Sequence, residues 1–407
     1  MAQRSPLAIA FLTIFLDLLG FGIVIPIAPF YAEQFGATAT TITLLGASYS
    51  LMQFIFAPIW GRLSDKVGRR PIVLMSISFG VVGHFLFGIA DSMTLLFASR
   101  MLAGFGNANI GAVQAIISDV TTPENRAKGM GLIGAAFGLG FIFGPALGGF
   151  FGQHSASTPA FVAAGLGLIN LVIAFMMLPE TLSAKSATRS RFDVAALKKA
   201  AGRPNVLPVL AVTAIYVTAF AMMEQVISLY LEHSHLGEST LTGHDKIKEA
   251  AELSAYFFVA VGITATVVQG GLIGRLTKKF GEVKLARLGA VILAVSMLSV
   301  PYFVGQLPGM WMLVSAVVMA LGSGMLNPSI TSLLSRSAGK DEQGGILGWN
   351  QSIGSLGRVI GPAVAGMFYE INMDYPFIIS GTMIGLAALV AWWKFVAPPA
   401  GSVGGHH

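Results

Sequence analysis

The 407-residue chain contains no cysteine, which excludes disulfide bonds, thiolate catalysis and cysteine-ligated metal. It is also short of charge. Only 11% of its residues are charged against 54% hydrophobic, whereas a soluble domain carries about a quarter charged residues to cover its surface. A water-facing surface is therefore excluded for most of the chain. Three catalytic signatures are missing too: G-x-x-x-x-G-K-[ST], H-E-x-x-H and G-x-S-x-G. Neither an ATP-driven pump nor a hydrolase is expected, nor any metal or organic cofactor. No small-residue cleavage site is read where Met1–Pro6 lead into the first apolar run.

What is present is apolar sequence in long runs. They lie at about 7–30, 42–61, 71–90, 94–118, 130–152 and 159–178, and again at about 206–231, 251–274, 285–304, 309–334, 345–369 and 376–396. A membrane-crossing helix needs about 20 apolar residues, and backbone groups in hydrocarbon must be paired within their own segment. The pattern predicts an all-α membrane protein with twelve transmembrane helices in two pseudo-symmetric six-helix bundles, 1–179 and 206–398. A linker at 180–205 joins them, with a surface helix at 191–201, and 399–407 reads as a linker with a shortened affinity tag. The 49 glycines suit close helix packing in lipid.

The net charge of +6 comes from an uneven distribution. Of 25 Lys and Arg, only Lys246 and Lys248 fall on the side opposite the termini, and Arg100 and Arg358 fall inside runs. The rest flank the runs on the termini side, which predicts that both termini are cytoplasmic. The basic balance thus reflects topology, and no nucleic-acid partner is expected. The partners expected are the lipid bilayer, protons and a small-molecule substrate, with the chain a monomer. The segment 232–250 reads as a solvated outer loop in which His233, His235 and His244 are incidental.

The two halves repeat. Gly61–Gly68 returns as Gly274–Gly281, Gly144-Pro145 as Gly361-Pro362, Asn109 as Asn327, and Tyr31 and Glu33 as Tyr230 and Glu232. Features found twice serve architecture common to both halves. Charges found once inside a run are better candidates for substrate or ion work. Asp17 stands opposite Tyr216 in the repeat, Glu224 opposite Ile25, Arg100 opposite Val318 and Arg358 opposite Phe141. A charge at the centre of a membrane helix costs about 2.5–3.5 kcal/mol. Four of them suggest either two structural ion pairs or groups that exchange protons. Asn107, Asn109, Gln225 and Asn327 are uncharged polar groups placed to line a cavity with Asp17, Glu224 and Arg358.

Gly61-Arg62-Leu63-Ser64-Asp65-Lys66-Val67-Gly68-Arg69-Arg70 resembles the loop motif of the major facilitator family. Arg100–Gly106 resembles that family's intramembrane arginine motif, and Gly138–Gly149 is similar to the Gly-Pro motif of drug:proton antiporters. Ser118–Ala127 resembles the loop between the fourth and fifth spans of bacterial tetracycline-efflux proteins. Arg358 and Glu224 lie outside that pattern.

The resemblance implies a proton-coupled exporter of small amphipathic or drug-like molecules, working by alternating access in a bacterial inner membrane. The proton gradient is then its energy source. It implies proton coupling at Arg100 and substrate or proton binding at Asp17; the unrepeated charge of Glu224 inside its run adds that residue to the proton-coupling candidates. The resemblance also implies a cytoplasmic gate of Asp65 and Arg69, to which Asp119 and Arg126 are added as partners. The repeat of Gly144-Pro145 as Gly361-Pro362 favours a hinge or packing role for both pairs. A carrier of small anions that uses Arg100 and Arg358, or a lipid translocator, is the alternative.

Overall fold

A computed structural model describes residues 6–121, 136, 139–140, 142–182, 200–236, 243–306, 309–337 and 343–397. The expected surface helix at 191–201, the tail 399–407 and Arg126 lie wholly or almost wholly outside these residues.

Long apolar runs fold as helices because hydrocarbon offers no other partner for the backbone. Among the described residues there is no strand. The first half holds α1 (Pro6–Val24), α2 (Ala28–Glu33), α3 (Ala39–Val67), α4 (Arg69–Gly88), α5 (Met93–Gly106), α6 (Ile110–Val120), α7 (Ile142–Gly152) and α8 (Thr158–Met177). The second holds α9 (Val206–Leu236), α10 (Gly243–Thr266), α11 (Ile273–Phe280), α12 (Glu282–Gln306), α13 (Met310–Ser337), α14 (Gln343–Ile371) and α15 (Tyr375–Lys394).

Nine helical segments among the described residues are long and apolar enough to cross a membrane. The other three of the twelve expected have physical explanations. A 3-10 turn at Asn107–Asn109 splits the fourth run into α5 and α6. Only part of the fifth run is described. In the eleventh, α14 is 29 residues long but carries Asn350, Gln351 and Arg358. A π-helical turn, Val267–Leu272, links α10 to α11 around Gln269-Gly270-Gly271, a widening that no periodicity in the sequence announces.

The loop at 232–250 is shorter than expected. Helix α9 runs on to Leu236 and α10 begins at Gly243, so Glu232, His233 and Lys246 all stand on helices. Apolar runs mark where hydrocarbon ends, and a helix continues past that point.

The chain divides into two compact units. Unit 1 comprises Met1–Thr188, Glu224–Gly262 and Pro362–Met373; unit 2 comprises Arg189–Met223, Ile263–Gly361 and Asp374–His407. Three of the five boundaries fall inside α9, α10 and α14, the last of these between Gly361 and Pro362. In unit 1, Ile9 and Ile14 of α1 pack with Ile72 and Ile77 of α4 and Val113 and Ile116 of α6. Outward on α8, Ile169, Val172, Phe175 and Met176 are exposed, an apolar face that suits lipid.

Both repeated Gly-Pro pairs sit where helices cross closely. A Cβ on Gly144 would lie 2.7 Å from Gly22 Cα, and one on Gly22 would lie 2.9 Å from Gly140 O, so α7 and α1 touch backbone to backbone. Gly361 presses on Thr218 O and Met222 N of α9 in the same manner. Gly144→Ala is expected to cost about 1–3 kcal/mol by overpacking, read as a lower melting temperature in detergent. Gly165→Ala, where a Cβ would meet nothing within 4 Å, should leave stability unchanged.

Candidate functional site

The interior of unit 1 is organised around Asp17. Its Oδ2 accepts from Asn109 Nδ2 at 3.0 Å and its Oδ1 from Asn170 Nδ2 at 3.1 Å. Asn109 stands on the turn between α5 and α6, and Asn170 on α8. The carboxyl of α1 is therefore held by two neutral amides from two other helices. No cation pairs with it among the described residues, so the ion pair weighed for Asp17 is absent there. Gly20, His84, Asn107 and Ala163 line a small cavity beside it. Asn170 Oδ1 is buried with no partner among the described residues, an acceptor that nothing in the sequence singles out.

The sequence Gly106-Asn107-Ala108-Asn109 explains this geometry. A 3-10 turn loosens the helix ladder, and side chains take up the freed carbonyls. Gln53 Nε2 donates to Asn107 O at 3.0 Å, and Trp60 Nε1 donates to Phe105 O at 2.8 Å. Ser76 Oγ donates to Gly106 O. The turn thereby aims Asn109 at Asp17 and Asn107 at Tyr49, whose hydroxyl accepts from Asn107 Nδ2 at 3.0 Å.

Arg100 of α5 is buried at 5% exposure. Its guanidinium lies 4.6 Å from the Tyr49 ring centroid and 5.9 Å from that of Phe21, contacts that stabilise a cation by about 0.5–2 kcal/mol each. Nη1 has no hydrogen-bond partner among the described residues. Asn107 thus joins Arg100 through Tyr49, while Asn109 joins Asp17.

The remaining cavity candidates divide between the units. Glu224 is half-buried in the unit 1 part of α9, next to the buried Met222 and Met223, and it is not free of partners. Gln225 reaches across to Gly46, where a Cβ would strike its amide. In unit 2, Asn327 is exposed on α13, and Arg358 Nη2 of α14 donates to Ser355 Oγ at 3.2 Å.

At the end of unit 1 that carries Gly68, Arg69 is buried and pairs with two carboxylates. Its Nη1 donates to Asp65 Oδ1 and, at 2.8 Å, to Ser64 Oγ; its Nε donates to Asp119 Oδ2 at 3.3 Å. The structure thus brings together three of the four expected gate residues. Sequence reasoning missed a fourth participant, Glu180. Its carboxylate accepts from the backbone N–H of Arg69 at 2.9 Å and of Arg70 at 3.2 Å, the placement that a helix N-terminus favours for an anion. Four backbone N–H donors outweigh burial and hold its pKa below the usual carboxylate value. Gly68, with φ +119°, makes the turn that exposes these amides. Glu180→Ala is expected to cost about 1 kcal/mol, the size of a lost helix cap, measured by thermal unfolding near pH 7. A depressed pKa means that this contribution is present above about 4.5 and is lost as pH falls through the folded-state value. At the acid end, wild type and variant should converge.

At the opposite end of unit 1, Glu33, Glu232 and His233 place a carboxylate oxygen each and a ring nitrogen within 4.8 Å of one another. Lys246 Nζ lies 3.1 Å from Glu232 Oε1. Burial and the neighbouring Glu232 push the Glu33 carboxyl up to about 8, against the opposing pull of Lys246. The repeat marks Glu33 and Glu232 only as equivalents, and their contact is not visible in it.

Residues 10–362 and 257–405 match the family model of the Major Facilitator Superfamily. Multidrug resistance protein 1 of Bacillus subtilis is 30% identical over 393 residues, covering 96% of this chain and 97% of that protein. The class B tetracycline resistance protein of Escherichia coli is 26% identical, over 91% and 90% respectively. The quinolone resistance protein NorA of Staphylococcus aureus is 27% identical, over 95% and 96%. In fold, the chain is similar to the nucleoside transporter NupG, with TM-score 0.74, 12% identity, and coverage of 96% of this chain and 98% of that one. The human organic anion transporter MFSD10 gives TM-score 0.70 and 23% identity, over 96% of this chain and 100% of that one. Helices of membrane-spanning length, the paired Asp65–Arg69–Asp119 loop and these matches over nearly the full chain lead to one assignment. This protein is an integral membrane transporter that belongs to the Major Facilitator Superfamily.

Proposed function

We propose that the chain exports small amphipathic, drug-like molecules in exchange for protons. The observation that carries this reading is Asp17, a carboxyl inside a membrane span held by two amide donors with no cation partner among the described residues. Such a group either stays charged at a cost of kcal/mol or takes a proton. A structural role alone would be served as well by a neutral amide. The similar proteins named for resistance to multiple drugs, tetracycline and quinolones support the drug-like substrate class.

In this reading the six-helix bundles 1–179 and 206–398 alternate between two facings, with both termini in the cytoplasm of a bacterial cell. Asp17 and Glu224 hold and release the exchanged protons. Arg100 biases that exchange from its place against Tyr49 and Phe21. Asn107, Asn109, Gln225, Asn327 and Arg358 line the substrate path, and Asp65, Arg69, Asp119 and Arg126 secure the cytoplasmic face. Inward movement of one positive charge releases about 2.3 kcal/mol per 100 mV of membrane potential.

The test is transport by purified protein in liposomes. A pH step should drive a tetracycline, a quinolone or a lipophilic cationic dye uphill, with counter-movement of protons. Downhill equilibration alone, indifferent to the pH step, would overturn the exchange.

A second reading, a carrier of small anions, is favoured by one observation: Arg100 Nη1 is buried and without a partner among the described residues. The same liposomes separate the two. Arg100→Gln should abolish uptake of a carboxylate substrate under that reading. Under exchange, it changes the pH dependence of cation efflux.

A further inference from the structure

Four ionisable groups meet where α2, α9 and α10 end, and the exchange described above makes no use of them. Glu232 is buried at 5% exposure, and its Oε2 has no hydrogen-bond partner among the described residues. Its other oxygen bonds Lys246 at 3.1 Å. Glu33 and His233 bring an oxygen and a nitrogen within 4.8 Å of it and of each other. His233 Nδ1 is already engaged with Tyr369 Oη at 2.7 Å.

With both carboxyls ionised and the imidazole neutral, Lys246 leaves one negative charge unbalanced. Two carboxylates this close, one buried and one half-buried, disfavour ionisation of both without a second cation. Among the described residues, the other titratable groups placed against these elements do not supply it. From α14 come Tyr369 and Glu370, the latter accepting from Thr40 N at 2.9 Å. From the α4–α5 turn comes Asp91, which acts on Tyr31.

We propose that Glu33, Glu232 and His233, with Lys246, form a proton-binding site whose single proton is required for this end of unit 1 to pack closed. The proton comes from the bathing water and is shared among the two carboxyls and the imidazole; no covalent step is involved. The same donor spacing would suit a divalent cation. Lys246, however, leaves only one negative charge to neutralise, so a divalent ion would leave a surplus positive charge beside the buried Glu232, although His233 itself is exposed, and the proton is the better fit.

What the proton locks is visible around it. Thr40 N bonds Glu370 Oε1, Gly366 N bonds Thr43 Oγ1 at 3.2 Å, and Gln225 fills the notch at Gly46. First-half helices are thereby tied to second-half helices at the end remote from Gly68. The inference rests on the proposed topology in one respect: there this end is the outer one, and its closure would take the proton from outside. The Glu33 carboxyl, raised from 4.5 to about 8, fixes the sign. The stabilisation it gives the closed form is complete below the lower value and is lost as pH rises through the higher one.

The chain's lack of cysteine permits a direct test. Gln34→Cys and Ile371→Cys, both at exposed positions of unit 1, would carry spin labels on otherwise wild-type protein in detergent, without substrate. Pulsed electron resonance from pH 6 to pH 9 should show a short distance giving way to a longer one with a midpoint near 8, the raised Glu33 value. With Glu33→Gln in addition, the short distance should persist throughout, because the amide cannot ionise. With Lys246→Met the midpoint should rise by about one unit or more, each unit being a tenfold tighter hold on the proton. Superimposable profiles for wild type and Glu33→Gln, or a downward shift in Lys246→Met, would overturn the proposal. So would closure that follows added zinc ion and its chelation at fixed pH. The readout needs neither substrate nor gradient, so its failure would leave the exchange assay standing, and failure of that assay would leave this result standing.

Discussion

Liposomes carrying Glu224→Gln are expected to lose uphill substrate movement entirely while downhill movement survives. An exchanger that trades one proton per substrate can hold about a tenfold substrate gradient for each unit of pH difference. The glutamine keeps the shape of the side chain and much of its hydrogen bonding but has no proton to release, so the ratio sustained should fall to one. Asp17→Asn should do the same. Its effect is separable from misfolding because the site can accommodate an amide: Asn170, whose Oδ1 is buried with no partner among the described residues, can turn to accept from the new Nδ2. The measurement is the steady-state ratio of substrate inside to outside under an imposed pH step. Wild-type ratios in both variants would remove these residues from the exchange.

The second large effect concerns stability as well as turnover. Arg69→Ala leaves Asp65 and Asp119 facing each other with no cation between them. Removing one partner of a buried ion pair typically costs 3–5 kcal/mol. Here Arg69 is 4% exposed but its partners are 25% and 23% exposed, which places the expected loss at the lower end, about 3 kcal/mol. Thermal or detergent-induced unfolding would measure it. Arg69→Lys should recover only part, since an ammonium cannot reach two carboxylates and Ser64 Oγ with one rigid fork. If the proposed gate is sound, Arg69→Ala also slows transport in every direction, unlike the two carboxyl variants.

The scaffold is legible because a membrane leaves the chain few choices: apolar length gives the span, and lysine and arginine placement gives the expected topology. The break in the fourth run is foreshadowed by Asn107-Ala108-Asn109, although its purpose, aiming one asparagine at Asp17 and the other at Tyr49, needs coordinates. Asn170 is hidden because nothing in a local apolar pattern says which helix a lone amide will meet. Glu180 is hidden for a similar reason: it follows Pro179 at the start of the linker, and only the fold brings it to the first amides of α4.

Repeat equivalence conceals one kind of contact. Repeated residues look architectural, and Glu33 and Glu232 are repeated, yet their oxygens lie within 4.8 Å of each other. Equivalence in the repeat carries no information about that contact. His233 is concealed by the end of its apolar run, where a solvated loop is the natural expectation. Instead, α9 continues to Leu236 and carries the imidazole against Tyr369.

Proton release on substrate binding, followed by a pH indicator in lightly buffered detergent solution, probes the exchange without a membrane or a gradient. Wild-type protein should release protons when a transported compound is added, and the Asp17→Asn, Glu224→Gln double variant should bind the compound and release none. Release from the double variant equal to that of wild type, or binding to wild type with no release at all, would contradict the account.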